Sequence, residues 1–206
     1  MKKGEKRRLE LLKIAYRMFT EKGYDNTSID EIIAEAGIAK GTYYYHFPSK
    51  EATLEAVIDM MINEQVERAR DAVKMPLPIP EKIVSVICSF RPEKQEESIA
   101  DAVETEENII LHEKLNTRLI NEAVPILSEV VEEGIAQGVF CCEDVPERVR
   151  MILIVSTRLF DDMEYTEKDA AVFIDMAEKL LGAKPGTMGF VADLISGGKN
   201  HGQKTG

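Results

Sequence analysis

The 206-residue chain is 44% hydrophobic and 31% charged, with a formal net charge of −11; this is ordinary globular composition and excludes wholesale disorder. No apolar run approaches the ~18 residues that a membrane-spanning helix needs, and the basic amino terminus has its apolar positions interrupted by Lys13 and Arg17, unlike a secretory leader. Three cysteines, two of them adjacent, do not make a disulfide framework for a chain this long, so a reduced, cytoplasmic protein with no membrane partner is expected.

In the first helical stretch Leu11, Leu12, Ala15, Met18 and Phe19 form one apolar stripe, which Gly23 ends. Thr27, three residues before Asp30, reads as the N-cap of a second helix carrying Ile29, Ile32, Ile33 and Ala36, stopped by Gly37. A short third helix is expected over about Lys40–Tyr45, closing before Phe47-Pro48. Ser49 caps a longer fourth helix reaching about Val73. The run from Met75 to Pro80, with three prolines, reads as a linker or sharp turn. Helical patterns follow near 81–90, 97–103, 105–121 and 123–137. The next helix is capped by Asp144 and runs to about Met163, and the last covers about 167–182, up to Gly182. No segment alternates as a strand does, and the final residues read as a flexible tail. The expected fold is therefore all-α. A small N-terminal helical domain spans 1–48, a larger helical domain 49–183, and a C-terminal extension 184–206.

Charge is unevenly spread. Residues 1–50 carry ten Lys/Arg against seven Asp/Glu, while the remainder carries sixteen against thirty. A basic end on an acidic body is the footprint of a nucleic-acid-binding segment. Seven of the thirteen aromatics also fall in the first 47 residues. Two short helices joined by a glycine turn form the skeleton of a helix-turn-helix, and Lys40-Gly41-Thr42-Tyr43-Tyr44-Tyr45-His46 suits a groove-facing second helix. Lys40 at its start reaches guanine acceptors, Gly41 lets the backbone approach closely, and Thr42 offers a hydroxyl and a methyl. Lys40 and Tyr44, four residues apart, share a face.

The stretch from Phe19 through Leu54 resembles the DNA-binding segment of the TetR family of one-component transcriptional regulators. The matching residues are Phe19, Gly23-Tyr24, Thr27, Ile32, Ala36-Gly37-Ile38, Lys40-Gly41-Thr42, Tyr44-Tyr45-His46-Phe47 and Ser49-Lys50-Glu51. The resemblance implies base contacts at Lys40, Gly41, Thr42 and Tyr44, and phosphate contacts at Thr27, Tyr45, His46 and Lys50. It further implies a non-enzymatic, ligand-released repressor with no cofactor, binding a double-stranded operator; an activator or a ligand-independent regulator of the same fold is the alternative. By the same analogy an effector pocket lies among the helices of 51–138, with Phe90, Ile109, His112, Leu115 and Arg118 as candidate lining. Two positions depart from the family pattern: Ala39 stands where a capping Ser is common, and Tyr43 replaces an aliphatic core residue.

Two helices near the C-terminus are apolar nearly all round, so each must be covered on more than one side. In the first, Val149, Ile152, Leu153, Ser156, Phe160 and Met163 form a stripe, and Met151, Ile154, Val155 and Leu159 fill much of the remaining circumference. In the second, Ala170, Phe173, Ile174, Ala177 and Leu181 form the stripe, widened by Val172, Met176 and Leu180. A homodimeric four-helix bundle is expected, using Ile152, Ile154, Val155, Leu159, Phe173, Ala177 and Leu180. The adjacent Cys141-Cys142 lacks zinc spacing and no metal is expected; a thiol sensor built on these two residues is the alternative from another class. The run His112-Glu113-Lys114-Leu115-Asn116 ends in Asn where a zinc-protease helix needs His.

Overall fold

The computed structural model describes residues 3–105, 109–160 and 164–198. Ten α-helices are described: α1 (Lys3–Lys22), α2 (Ile29–Ala36), α3 (Lys40–His46), α4 (Lys50–Lys74), α5 (Ile79–Ser89), α6 (Glu97–Val103), α7 (Ile109–Ala136), α8 (Val145–Phe160), α9 (Glu167–Leu181) and α10 (Val191–Gly198). A 3₁₀ turn at Lys94–Glu96 leads into α6, and no strand occurs among the described residues. The chain is all-α, with a helix-turn-helix segment at the N-terminal end and a larger helical region after it. It forms two compact units: one from the chain up to Gln65 together with Arg91–Leu115, the other from Val66–Phe90 together with Asn116 onward. Helices α4 and α7 run from one unit into the other.

In the first unit the five stripe residues of α1 are all buried, as are Ile32 of α2, Tyr43 and Phe47 around α3, and Leu54 and Val57 of α4, and α1 packs on α2. The 3₁₀ turn and α6 also pack on α1: the Tyr16 hydroxyl donates to Glu96 at 3.2 Å, and the Ser98 hydroxyl donates to the Phe19 carbonyl at 2.9 Å. Burial and the neighbouring Glu96 carboxylate push the Tyr16 phenol up to about 12. Ser49 caps α4 as expected, its hydroxyl accepting from the Ala52 N–H at 3.1 Å.

The cap of α2 differs from the expectation. Ser28, not Thr27, is the N-cap, in a reciprocal capping box with Glu31. Two hydrogen bonds from Ser28 to the carboxylate, with Lys22 assisting, hold Glu31 down to about 2. Thr27 points inward instead, 1% exposed, donating to the carbonyls of Met18 and Gly23. Gly37 terminates α2 in the left-handed conformation at φ 61°, which a side chain rarely adopts.

The second unit corrects three boundaries. Helix α5 begins at Ile79, inside the expected linker, because a proline in the first turn gives up only an N–H that has no helical partner anyway. The patterns at 105–121 and 123–137 belong to one helix, α7, which continues through Pro125. That proline sits on the exposed side, and buried Ala123, Val124, Ile126, Leu127, Val130 and Val131 hold the helix on both flanks. Residues 106–108 at the start of that pattern lie outside the described residues. The third boundary lies beyond α9, where the extension forms α10. The buried carboxylate of Glu178 anchors it by accepting the Met188 N–H at 2.8 Å, and the Tyr165 hydroxyl donates to the Ile195 carbonyl. The tail from residue 199 and Met163 both lie outside the described residues. Lys82 of α5, largely buried, pairs with Glu133 of α7 at 2.6 Å.

Candidate nucleic-acid interface

Helix α3 is seven residues long and its N-cap is Ala39, which supplies no side-chain cap. So short a helix has little stability of its own; one buried side chain anchors it. Tyr43 is fully buried, its hydroxyl 2.5 Å from the Thr53 hydroxyl on α4, and its ring lies 5.9 Å from that of Phe47. The departure from an aliphatic residue at Tyr43 is thus satisfied by a polar partner on the next helix.

With Tyr43 facing in, the helical period turns its neighbours outward. Lys40, Gly41, Tyr44 and Tyr45 are exposed, Tyr45 by 83%, while Thr42 and His46 are half-buried. The outer surface of α3 is therefore a cation, a bare backbone segment, a hydroxyl and two phenols, with His46 edge-to-face on Tyr45 at 5.0 Å. These groups form hydrogen bonds and stack, as base edges and phosphates require. Lys50 lies beside this surface, its ammonium 4.1 Å over the Tyr24 ring and 3.4 Å from the Asp25 carbonyl.

The structure separates Thr27 from the others. Its hydroxyl hydrogen is spent on main-chain carbonyls and its side chain is buried, so it shapes the turn between α1 and α2 and offers no outward hydroxyl. Two features of the surface went unread in the sequence. Asp30 of α2 holds the Lys40 ammonium at 3.1 Å, and this hydrogen bond raises the lysine's pKa. Arg8 of α1 stacks on Phe47 at 5.0 Å. The 3- and 4-residue spacings that reveal ion pairs within one helix say nothing about pairs between helices. Within the N-terminal basic cluster, Lys2 and the side chain of Lys3 lie outside the described residues.

The remaining candidate residues are more scattered. Of the expected pocket lining, Leu115 is buried, Ile109 is solvent-exposed, and Phe90, His112 and Arg118 are half-buried. Phe90 and Arg118 belong to the second unit, and the other three to the first. An open cleft between α1 and the end of α2 is lined by Arg7, Glu10, Leu11, Lys13, Ile14, Glu35 and Ala36, and includes none of the five. Of the expected dimer residues, Ile154 and Val155 are exposed, joined by Met151 and Val172, and Ile152, Leu159 and Leu180 are half-buried. Phe173 and Ala177 lie in the core of their own unit, Phe173 edge-to-face with Phe160 at 5.0 Å. Cys88, Cys141 and Cys142 are free thiols. Burial pushes the Cys142 thiol up, opposed by Arg148, so it is less nucleophilic than an ordinary cysteine. The Cys141 N–H donates to the Leu181 carbonyl, fixing the end of α9.

A glycine-stopped helix followed by a short exposed helix with a polar, aromatic outer face defines a helix-turn-helix DNA-binding protein. Residues 11–57 match the family model described as bacterial regulatory proteins, tetR family. Among curated relatives, the fatty acid metabolism regulator protein of Bacillus subtilis (strain 168) is 26% identical over 142 residues, 67% of this chain and 73% of that relative. The HTH-type transcriptional regulator EthR of Mycobacterium tuberculosis is 34% identical over 61 residues, 30% of this chain and 28% of EthR. The chain therefore spans under a third of the latter's length. Among solved structures, a TetR transcriptional regulator from Chloroflexus aurantiacus J-10-FL superposes with a TM-score of 0.56 at 23% identity, covering 95% of this chain and 97% of that one. A TetR-family regulator from Pectobacterium atrosepticum gives 0.57 at 20% identity, covering 87% and 94%. Residues 11–57 therefore carry the DNA-binding segment of the tetR family of bacterial regulatory proteins, and the chain shares the all-α fold of solved TetR-type regulators. No described helix is long and apolar enough to cross a membrane.

Proposed function

We propose that the protein is a homodimeric repressor that binds a palindromic operator through α3 and leaves it when a small molecule occupies the larger helical region. The exposed surface of α3 carries the reading: Lys40, Gly41 and Tyr44, with Thr42 beside them, face outward while Tyr43 alone anchors the helix. On this reading Lys40, Gly41, Thr42 and Tyr44 meet bases, and Tyr45, His46 and Lys50 meet phosphates, with Thr27 supporting them from beneath. The apolar surface of α8 and α9 around Met151, Ile154, Val155 and Val172 supports pairing with a second copy. A two-fold axis would space the recognition helices by one DNA turn, about 34–36 Å.

Selection from a random duplex library, followed by gel shifts, tests the proposal. The expected product is an inverted repeat bound tightly and with steep salt dependence, since phosphate neutralisation releases counterions. An effector screen monitored by melting temperature should include fatty acids, the class named in the 26%-identical relative. A compound that raises the melting temperature and releases the operator is the expected result. A protein that selects no sequence, or only single half-sites, refutes the reading.

A further inference from the structure

The hydroxyl of Tyr43 is buried polar chemistry that folding alone does not require, since Phe has the same ring and needs no partner. It is nevertheless fully satisfied. It meets the Thr53 hydroxyl at 2.5 Å, and Thr53 in turn donates to the Ser49 carbonyl at 3.0 Å. With the Thr53 hydrogen committed to Ser49, Tyr43 is the donor in the first bond. Both side chains are fully buried, where a hydrogen bond is electrostatically stronger than in water and specifies one geometry. The bond runs from the inner side of α3 to the first turn of α4, on which Ser49 is itself the cap.

We propose that Tyr43 and Thr53 are positioning residues for sequence readout: their hydrogen bond fixes the rotation of α3 about its own axis. The inference rests on the DNA-binding reading of α3. The helix has no side-chain cap at Ala39, and Tyr43 is its one buried residue. Its other restraints are ring contacts, which tolerate sliding, and the Lys40–Asp30 ion pair, which is solvent-exposed and made through a flexible lysine stem, whereas a buried hydrogen bond weakens steeply with angle. A helix with its side chains has a radius of about 5–6 Å, so a rotation of about 10° carries the tips of Lys40 and Tyr44 sideways by about 1 Å. Base-edge hydrogen bonds do not survive that displacement, whereas contacts of flexible cations with phosphates do. Loss of the bond therefore removes discrimination between sequences and spares general affinity for DNA.

The test uses the full chain, an operator selected with the wild-type protein, single-base variants of it and a scrambled duplex. Tyr43→Phe and Thr53→Val should each lower the ratio of operator to scrambled affinity about tenfold. Scrambled-duplex affinity and its salt dependence should stay at wild-type values. Thr53→Ser, which keeps the hydroxyl, should restore the ratio, and the double variant Tyr43→Phe/Thr53→Val should be no worse than the more severe single one. A purely structural role predicts instead a lower melting temperature with both duplexes weakened together; that result, or an unchanged ratio in Tyr43→Phe, overturns the inference. Should Thr53→Val fail to fold, Tyr43→Phe decides, because it removes a single oxygen. A wild-type protein that selects no sequence defeats the DNA-binding reading and this inference with it, whereas wild-type selection with an unaffected Tyr43→Phe defeats the inference alone.

Discussion

Replacing Ile154 by Glu sets a carboxylate on the outer face of α8, between exposed Met151 and Val155. Ile154 is 46% exposed in the single chain, so the substitution leaves the core of its own unit intact. Fully burying such a side chain is worth about 1.5–3 kcal/mol, and covering the exposed half returns about 1 kcal/mol. Met151, Ile154, Val155 and Val172, counted on both copies, yield a gross gain of about 8 kcal/mol before the cost of association. A carboxylate enclosed in that seam costs several kcal/mol, and the two-fold axis imposes it twice, which removes the gain. Light scattering at micromolar concentration should show wild-type dimers and Ile154→Glu monomers with unchanged far-ultraviolet circular dichroism. Phe173→Glu behaves differently. Phe173 is 6% exposed and stacks on Phe160, so losing the ring costs about 3–5 kcal/mol and an unpaired buried carboxylate adds to it. Against a typical stability of about 5–15 kcal/mol, the expected result is unfolding, not a folded monomer. A folded Phe173→Glu monomer, or an Ile154→Glu protein that stays dimeric, refutes the reasoning.

Lys40→Ala and Tyr44→Ala should each cost about 1–3 kcal/mol at the operator, while Lys50→Ala should weaken all sequences alike, as gel shifts across salt concentrations will measure. Thr27→Val keeps the shape of the buried side chain but removes the donor to the Met18 and Gly23 carbonyls; denaturant titration should show a loss of about 1–3 kcal/mol. Gly182→Ala should destabilise by at least about 1–2 kcal/mol, because φ there is +62° and an added Cβ would lie 2.0 Å from the Cys141 carbonyl oxygen. The Glu31 carboxyl sits at about 2 in the folded chain against an ordinary 4.5. A depressed folded value stabilises above the unfolded one and is lost as pH falls. The melting-temperature gap between wild type and Glu31→Ala should therefore be constant above about pH 4.5 and close towards pH 2.

Legibility in the sequence followed the range of the interactions involved. The α1 stripe, the Gly37 stop, the Ser49 cap and the limits of α3 depend on residues within four positions of one another, and each was readable. The sequence alone does not separate Thr27 from Ser28 as the cap of α2, because both have a carboxylate three positions on, Asp30 and Glu31 respectively, and the cap is Ser28. What separates them is tertiary: the methyl and hydroxyl of Thr27 fit a buried niche lined by main-chain carbonyls of α1 and its following turn. Continuity through Pro125 and the start of α5 at Ile79, with Pro80 in its first turn, are not legible for a related reason. A proline's local penalty is overridden where flanking side chains are buried or where its missing N–H had no partner to lose.

The same distinction explains why the residues proposed to face DNA have a spacing of their own in the sequence, whereas the proposed dimer seam and effector pocket do not. Base edges present a fixed set of donors and acceptors, so a surface that reads them uses a narrow choice of side chains at fixed helical spacing, and the stretch from Lys40 to His46 has such a composition. A dimer seam is only an apolar face. Along α8 and α9 apolar residues face every direction, and the sequence does not tell which of them the chain's own core consumes: Phe173 and Ala177 are consumed, whereas Met151, Ile154, Val155 and Val172 remain outside. An effector pocket is less legible still, because it is defined by volume left unfilled between helices and carries no residue spacing of its own. The positioning bond from Tyr43 to Thr53 lies between these extremes. Its two residues are ten positions apart on different helices, beyond any periodic pattern, yet the need for it was visible: a tyrosine facing a core must find a partner for its hydroxyl.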